Sequence, residues 1–176
     1  MASKGFIELL RLADMAEARS SGRRGGTEAD WRGVVFEVGG QRLVAPLGEI
    51  SEVLMMPEYT SMPLVQPWML GIANIRGRLL PITDLAEFLH IPSRARQSSQ
   101  RKVMVIDHES VFAGLLVDQV LGIEQFRRSQ YRPQSMDPNS PFAPYNHGKF
   151  LKEDREWFVF MPSLLAQDPR YIDAGI

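Results

Sequence analysis

Residues 71–85 read Gly-Ile-Ala-Asn-Ile-Arg-Gly-Arg-Leu-Leu-Pro-Ile-Thr-Asp-Leu. Two short apolar runs, Gly71-Ile72-Ala73 and Leu79-Leu80-Pro81-Ile82, flank the polar segment Asn74-Ile75-Arg76-Gly77. Asn and Gly both tolerate positive φ, so the middle reads as a turn. The pattern predicts a β-hairpin whose tip carries Arg76 out into water. Such a tip is either a plain solvated turn or a recognition loop on a stiff base. Arg76 has a third option, which is to reach back to a carboxylate such as Asp84 or Glu52 and hold the loop in shape.

Much of the chain repeats this style. Val34–Val38, the pair Gly39-Gly40 and Gln41–Ala45 read as a second hairpin. Lys102–Ile106 and Val111–Val117 read as a third, turning through Asp107-His108-Glu109-Ser110. Tyr145–Lys152 and Glu156–Met161 read as a last pair of strands. A weak repeat links Val35–Val53 to Val103–Ile123, each reading strand, turn, strand, then two spaced apolar residues. Many short strands with Gly and Pro between them favour barrels or sandwiches. Helices are expected in few places. Phe6, Leu9, Leu10 and Ala13 share one face of a helix over roughly 4–19. Ile50, Val53 and Leu54 keep a short helical spacing, and Trp68-Met69-Leu70 fits one helical turn. A short helix follows Thr83 or Asp84 as N-cap, and Pro162 opens a closing helix through Gln167. Residues 20–29 and 91–100 read as linkers, and 168–176 as a loose tail.

Composition narrows the chemistry. The chain has 176 residues, 44% hydrophobic and 23% charged, the balance of a soluble globular domain. No apolar run approaches the ~18 residues of a membrane span. The acidic residues near its start, with no cleavage-like segment, predict no secretory signal. There is no Cys, which removes disulfides, thiol catalysis and cysteine zinc sites and fits a reducing compartment. A net charge of −1 argues against a general nucleic-acid binder. Arg42, Arg76 and Arg78 could still begin a basic stripe on a nucleic-acid or oligosaccharide-binding barrel.

No enzyme motif stands out. His90, His108 and His147 lack partners at metal-ligand spacing, so no metal or cofactor is expected. Asp84 and Asp118 each follow a strand and suit either paired acid catalysis or simple caps and turns.

Four segments in fixed order then carry a resemblance. They are Val34–Gln41, Ile50–Leu54, Gly71–Leu85 and Gly114–Val120. The Asn-x-Arg-Gly, Pro-x-x-Asp-Leu and Gly-x-x-Val-Asp combination resembles the CheW-like chemotaxis coupling domain. The extra N-terminal helix is similar to the branch that serves type IV pilus twitching motility. Ile75 stands where Leu is commoner, Ala73 is smaller than usual, Thr83 replaces an aliphatic residue, and 145–150 match only loosely.

The resemblance implies a mainly β fold of two SH3-like five-stranded β-barrels sharing a hydrophobic core, between an N-terminal and a short C-terminal helix. Residues 1–29 would be helix and linker, and 30–170 the CheW-like domain. Its subdomains would lie roughly at 45–100 and 101–155, with the terminal segments completing the pair. It further implies a non-enzymatic, cytoplasmic scaffold recruited to membrane chemoreceptor arrays. That scaffold couples a CheA-type histidine kinase to the cytoplasmic tip of a methyl-accepting chemoreceptor. By the same resemblance, Ile50, Glu52, Val53 and Met55 face the kinase, and Asn74, Arg76, Gly77, Leu79 and Leu116 face the receptor. The nine methionines include Met55, Met56 and Met62; Met is a soft gap-filler, mostly in cores, that also suits adaptable binding surfaces.

Overall fold

A computed structural model describes residues 31–92, 99–108 and 111–175. The helix expected over 4–19 and the linker at 20–29 lie outside the described residues, as does most of the 91–100 linker.

The strands form where apolar and turn residues alternate. β1 (Trp31–Val38) and β2 (Gln41–Pro46) make a hairpin across Gly39-Gly40, both with positive φ, at 57° and 82°. Such two-residue turns match the right-handed twist of the strands they join. β3 (Glu52–Met55), β4 (Met69–Ile75) and β5 (Arg78–Asp84) follow. A short helix, α1 (Leu85–Phe88), comes next. The Asp84 carboxylate accepts a hydrogen bond from Glu87 N at 3.3 Å, so Asp84 is its N-cap. Then come β6 (Lys102–His108), β7 (Val111–Val117) and β8 (Gln119–Phe126). β9 (Tyr131–Arg132), β10 (Asn146–Lys152) and β11 (Arg155–Phe160) complete the strands. α2 (Pro162–Ala166) opens on Pro162, whose missing N–H costs nothing in a first turn. α3 (Pro169–Ile172) closes the described chain.

These strands build two sheets. The first has the order β8-β1-β2-β11-β10-β9 and the second β3-β6-β7-β5-β4. Each contains one parallel pair, β2 with β11 and β5 with β7, and the remaining neighbours are antiparallel. Side-chain alternation then divides the core. In β6, Val103 and Val105 enter a cluster private to the second sheet, with Ala73, Leu80, Ile82 and Leu116. Met104 and Ile106 point the other way, into a cluster shared with Val34, Phe36 and Leu43 of the first sheet. Trp31, Val35, Val44, Phe126, Phe150 and Trp157 form the first sheet's private cluster. Both sheets curl around their own cluster. Phe126 on β8 stacks on Phe150 of β10 with centroids 4.6 Å apart, although three strands separate them in the order. Glu52 on β3 pairs with Arg76 at the end of β4, across the full width of the second sheet.

Five expectations change. Residues 50–54 are not helical: Glu52–Met55 pair with β6, and Val53 and Met55 alternate outward from an edge strand. Trp68 precedes β4 rather than forming a helical turn, and its indole packs edge-on against Phe88. The tail is not loose. Asp168 caps α3 by accepting from Arg170 N at 2.9 Å, and Gln66 N donates to Ala174 O at 2.8 Å. Sheet membership also differs from a division near residue 100. β6 and β7 belong with β3–β5, and the chain crosses back to the first sheet at Asp118. The first sheet has six strands, where five-stranded barrels were expected.

Candidate functional site

The β4–β5 hairpin turns through Arg76 and Gly77 alone, with φ of 50° and 82°. A left-handed Arg is unusual, because its Cβ crowds the following carbonyl. Asn74 compensates from the strand. Its Oδ1 accepts from Gly77 N at 2.9 Å and braces the turn. Positive φ thus falls on Arg76 and Gly77, while Asn74 contributes its side chain.

The Arg76 guanidinium donates to Glu52 Oε1, so the tip reaches back to that carboxylate while its side chain stays 72% exposed. Next to it, Arg78 donates to Asp107 at 2.7 Å, and its guanidinium carbon lies 3.7 Å from the centre of the Phe112 ring. Arg42 lies over the ring of Trp157. These arginines face carboxylates or aromatic rings of their own chain, which is a poor start for a phosphate-binding stripe.

Around this ion pair the second sheet shows apolar side chains to solvent. Met55 is 73% exposed and Leu79 65%, and Val53 is also exposed. β3 lies at the end of its sheet, so one side of its backbone has no neighbouring strand. An edge strand with exposed apolar residues beside a fixed charge pair suits docking of another protein. Glu52, Val53 and Met55 of β3 thus lie across the seam of the sheet from Arg76, Gly77, Leu79 and exposed Asn74 of the β4–β5 hairpin, and the Glu52–Arg76 pair joins the two sides. Ile50 and Leu116 do not join them. Ile50 is buried in the shared cluster and Leu116, at 2% exposure, in the second sheet's own.

The two aspartates have separate structural duties. Asp84 pairs with Arg101 at 2.8 Å in addition to capping α1. Asp118 accepts from Gly39 N at 2.8 Å and donates its own N–H to Glu37 O at 3.0 Å, tying the β1–β2 turn to the start of β8. Among the described residues, no group of three His, Asp or Glu side chains is arranged to hold a metal ion. No helix there is long and apolar enough to cross a membrane.

One polar cluster was not anticipated from the sequence. Tyr145 donates to Asp168 Oδ2 at 2.5 Å, and Arg170 donates to both the carboxylate and the phenol oxygen at 3.1 Å. The hydrogen bond from Arg170 is the main cause that lowers Asp168 to about 2. Burial, then the hydrogen bond to Asp168, pushes Tyr145 up to about 12. An Asp-Pro pair is the signal that could have located the cap, though not its partners.

Residues 32–168 match the family model of the CheW-like domain. The chain belongs to the CheW-like family. It is 42% identical over 146 residues to protein PilI of Pseudomonas aeruginosa, covering 83% of this chain and 81% of that one. To chemotaxis protein CheW of Thermotoga maritima it is 30% identical over 95 residues, 54% of this chain and 62% of the relative. The crystal structure of scaffolding protein TtCheW from Thermoanaerobacter tengcongensis superposes with a TM-score of 0.66 at 21% identity, covering 74% of this chain and 88% of that one. That likeness is one of fold: mainly β, with two sheets in the CheW-like arrangement of SH3-like domains. Apart from Trp31 at the start of β1, all the strands described above, the Arg76–Glu52 pair and the exposed edge fall within the CheW-like region.

Proposed function

We propose that this CheW-like protein is a non-enzymatic scaffold. It couples a CheA-type histidine kinase to the cytoplasmic tips of methyl-accepting chemoreceptors, in a chemosensory pathway that controls type IV pilus twitching motility. The kinship with PilI and with the chemotaxis proteins supports the pathway. The Glu52–Arg76 pair is the observation that carries the mechanism, because it fastens the hairpin tip to the edge strand and fixes the contact surfaces on both sides of it.

In this reading Glu52, Val53 and Met55 form the kinase-facing edge. Apolar burial there supplies affinity, and the free side of β3 accepts the partner's sheet. Asn74, Arg76, Gly77 and Leu79 face the receptor's helical hairpin, where a helix laid against exposed Leu79 buries one apolar stripe. Two surfaces with the ion pair between them allow both partners to be held at once. Ile50 and Leu116 contribute by packing beneath these surfaces. The protein would act in the cytoplasm at receptor arrays. Coupling then requires no bond-making chemistry, which fits the structural employment of Asp84 and Asp118.

The test is a pull-down of the intact protein with a CheA-type kinase and, separately, with a receptor tip. Val53→Arg is expected to lose the kinase and keep the receptor, and Leu79→Arg the reverse. Loss of neither partner by either variant would reject this assignment of surfaces.

A further inference from the structure

We propose that Met55, Met56 and Met62 form an oxidation-sensitive patch on the open edge of the second sheet, and that a peroxide switches this edge off by converting their thioethers to sulfoxides. The proposal rests on the reading of that edge as the kinase-facing surface.

Nine methionines and no cysteine make thioether sulfur the only sulfur in the chain. Among the described methionines, Met55 is 73% exposed, Met62 42% and Met56 37%, Met69 is half-buried, and Met104, Met136 and Met161 are buried. The exposed three are also close in sequence and lie along one path. Met55 ends β3, Met56 follows it, and Met62 comes two residues after Thr60. Thr60 exchanges both backbone hydrogen bonds with Ile72 of β4, at 2.9 Å each. β3 and β4 are opposite ends of their sheet, and Glu52–Arg76 joins those ends. Residues 52–62 therefore run across the seam of the curled sheet, with the three thioethers on its outer side. Exposed Tyr59 and Leu64 extend the same apolar stretch.

Thioethers are soft and adaptable, which suits a contact that forms with another protein. They are also the side chains in this patch that a mild oxidant attacks. A peroxide transfers one oxygen to sulfur: the O–O bond breaks, an S=O bond forms, the thioether is oxidised by two electrons and the peroxide is reduced to water or an alcohol. The product is polar and a strong hydrogen-bond acceptor, and burying it unpaired against an apolar partner is unfavourable. The buried methionines are shielded, so the edge changes while the fold persists. Methionine sulfoxide reductases reverse the step, which makes it a switch rather than damage alone.

The experiment treats the full-length protein with hydrogen peroxide in limited steps. Peptide mass spectrometry follows each methionine, thermal unfolding follows the fold, and titration with a CheA-type kinase follows binding. Met55, Met56 and Met62 are expected to gain oxygen before Met104, Met136 and Met161, with an unchanged unfolding midpoint. Kinase affinity is expected to fall about tenfold, as loss of an apolar contact of this size implies. Reductase treatment should restore it. The triple variant Met55→Leu, Met56→Leu, Met62→Leu should bind equally well before and after peroxide. Binding that survives complete oxidation of all three overturns the proposal alone. So does oxidation of the buried methionines at the same rate. Failure of the untreated protein to bind any CheA-type kinase overturns the reading of the edge and the proposal with it.

Discussion

Arg76 combines a left-handed backbone with a side chain that is 72% exposed and paired to Glu52. An exposed pair of this kind contributes about 0.2–1 kcal/mol to folding. Arg76→Ala is therefore expected to shift a denaturation midpoint only slightly, while coupling of kinase to receptor falls sharply. Arg76→Lys keeps the charge without the planar fork, and is expected to lose on the order of 1–3 kcal/mol of coupling free energy with the fold intact. Leu116→Ala should behave in the opposite way, costing about 2–5 kcal/mol of stability through an unfilled core site. A pH series tests Asp168. Its depressed folded-state value means that its carboxylate stabilises the fold above the ordinary range near ~4, and that this contribution is lost as pH falls from there toward about 2. Tyr145 works at the other limb: its raised value gives a contribution present below its ordinary ~10 and lost as pH rises toward about 12. Asp168→Asn should flatten the acid limb of the stability curve, as measured by urea unfolding at each pH. The sequence revealed part of this scale. The Asn-x-Arg-Gly string announced the turn and named Glu52 among the carboxylates Arg76 could reach. It could not separate Leu116 and Ile50 from Val53 and Met55, because an apolar residue reads the same in a core and on an edge.

At the scale of elements, the hairpins and caps were readable because their causes are local. Gly39-Gly40 and Arg76-Gly77 supply the positive φ that a two-residue turn demands, and Pro162 and Asp84 supply helix starts. β3 was not, since Ile50, Val53 and Leu54 keep a helical spacing as well as a strand's. Pairing with β6, whose Lys102 faces Met55 from 47 residues further along the chain, decides the matter. The C-terminal segment fails for the same reason. Tyr171 stacks on Trp68 with centroids 5.7 Å apart and meets Phe88 edge-on at 5.8 Å, so α3 acts as a strap over the aromatic residues before β4 and in α1. Nothing adjacent in sequence signals those partners. Truncation after Gln167 is expected to expose Trp68 and cost on the order of 2–4 kcal/mol, seen as a lower unfolding midpoint and a shifted tryptophan emission.

The whole molecule is two curled sheets around a shared cluster, and its plan depends on contacts far apart in the chain. β2 with β11 and β5 with β7 are parallel pairs between distant strands, and the crossing at Asp118 returns the chain to the sheet where β1 began. Family resemblance anticipated two β units; only the pairings show that β6 and β7 complete the unit of β3–β5. That arrangement joins the hairpin tip to the edge strand through the ion pair, and leaves exposed apolar side chains on either side of it. The direct test of coupling is co-sedimentation of a CheA-type kinase with vesicles bearing chemoreceptor tips, with and without this protein. The kinase is expected to enter the pellet only when the protein is present, and Val53→Arg is expected to abolish kinase sedimentation while the variant itself still pellets with the receptor. Kinase that sediments equally well without the protein, or that stays in solution in its presence, would contradict a coupling role.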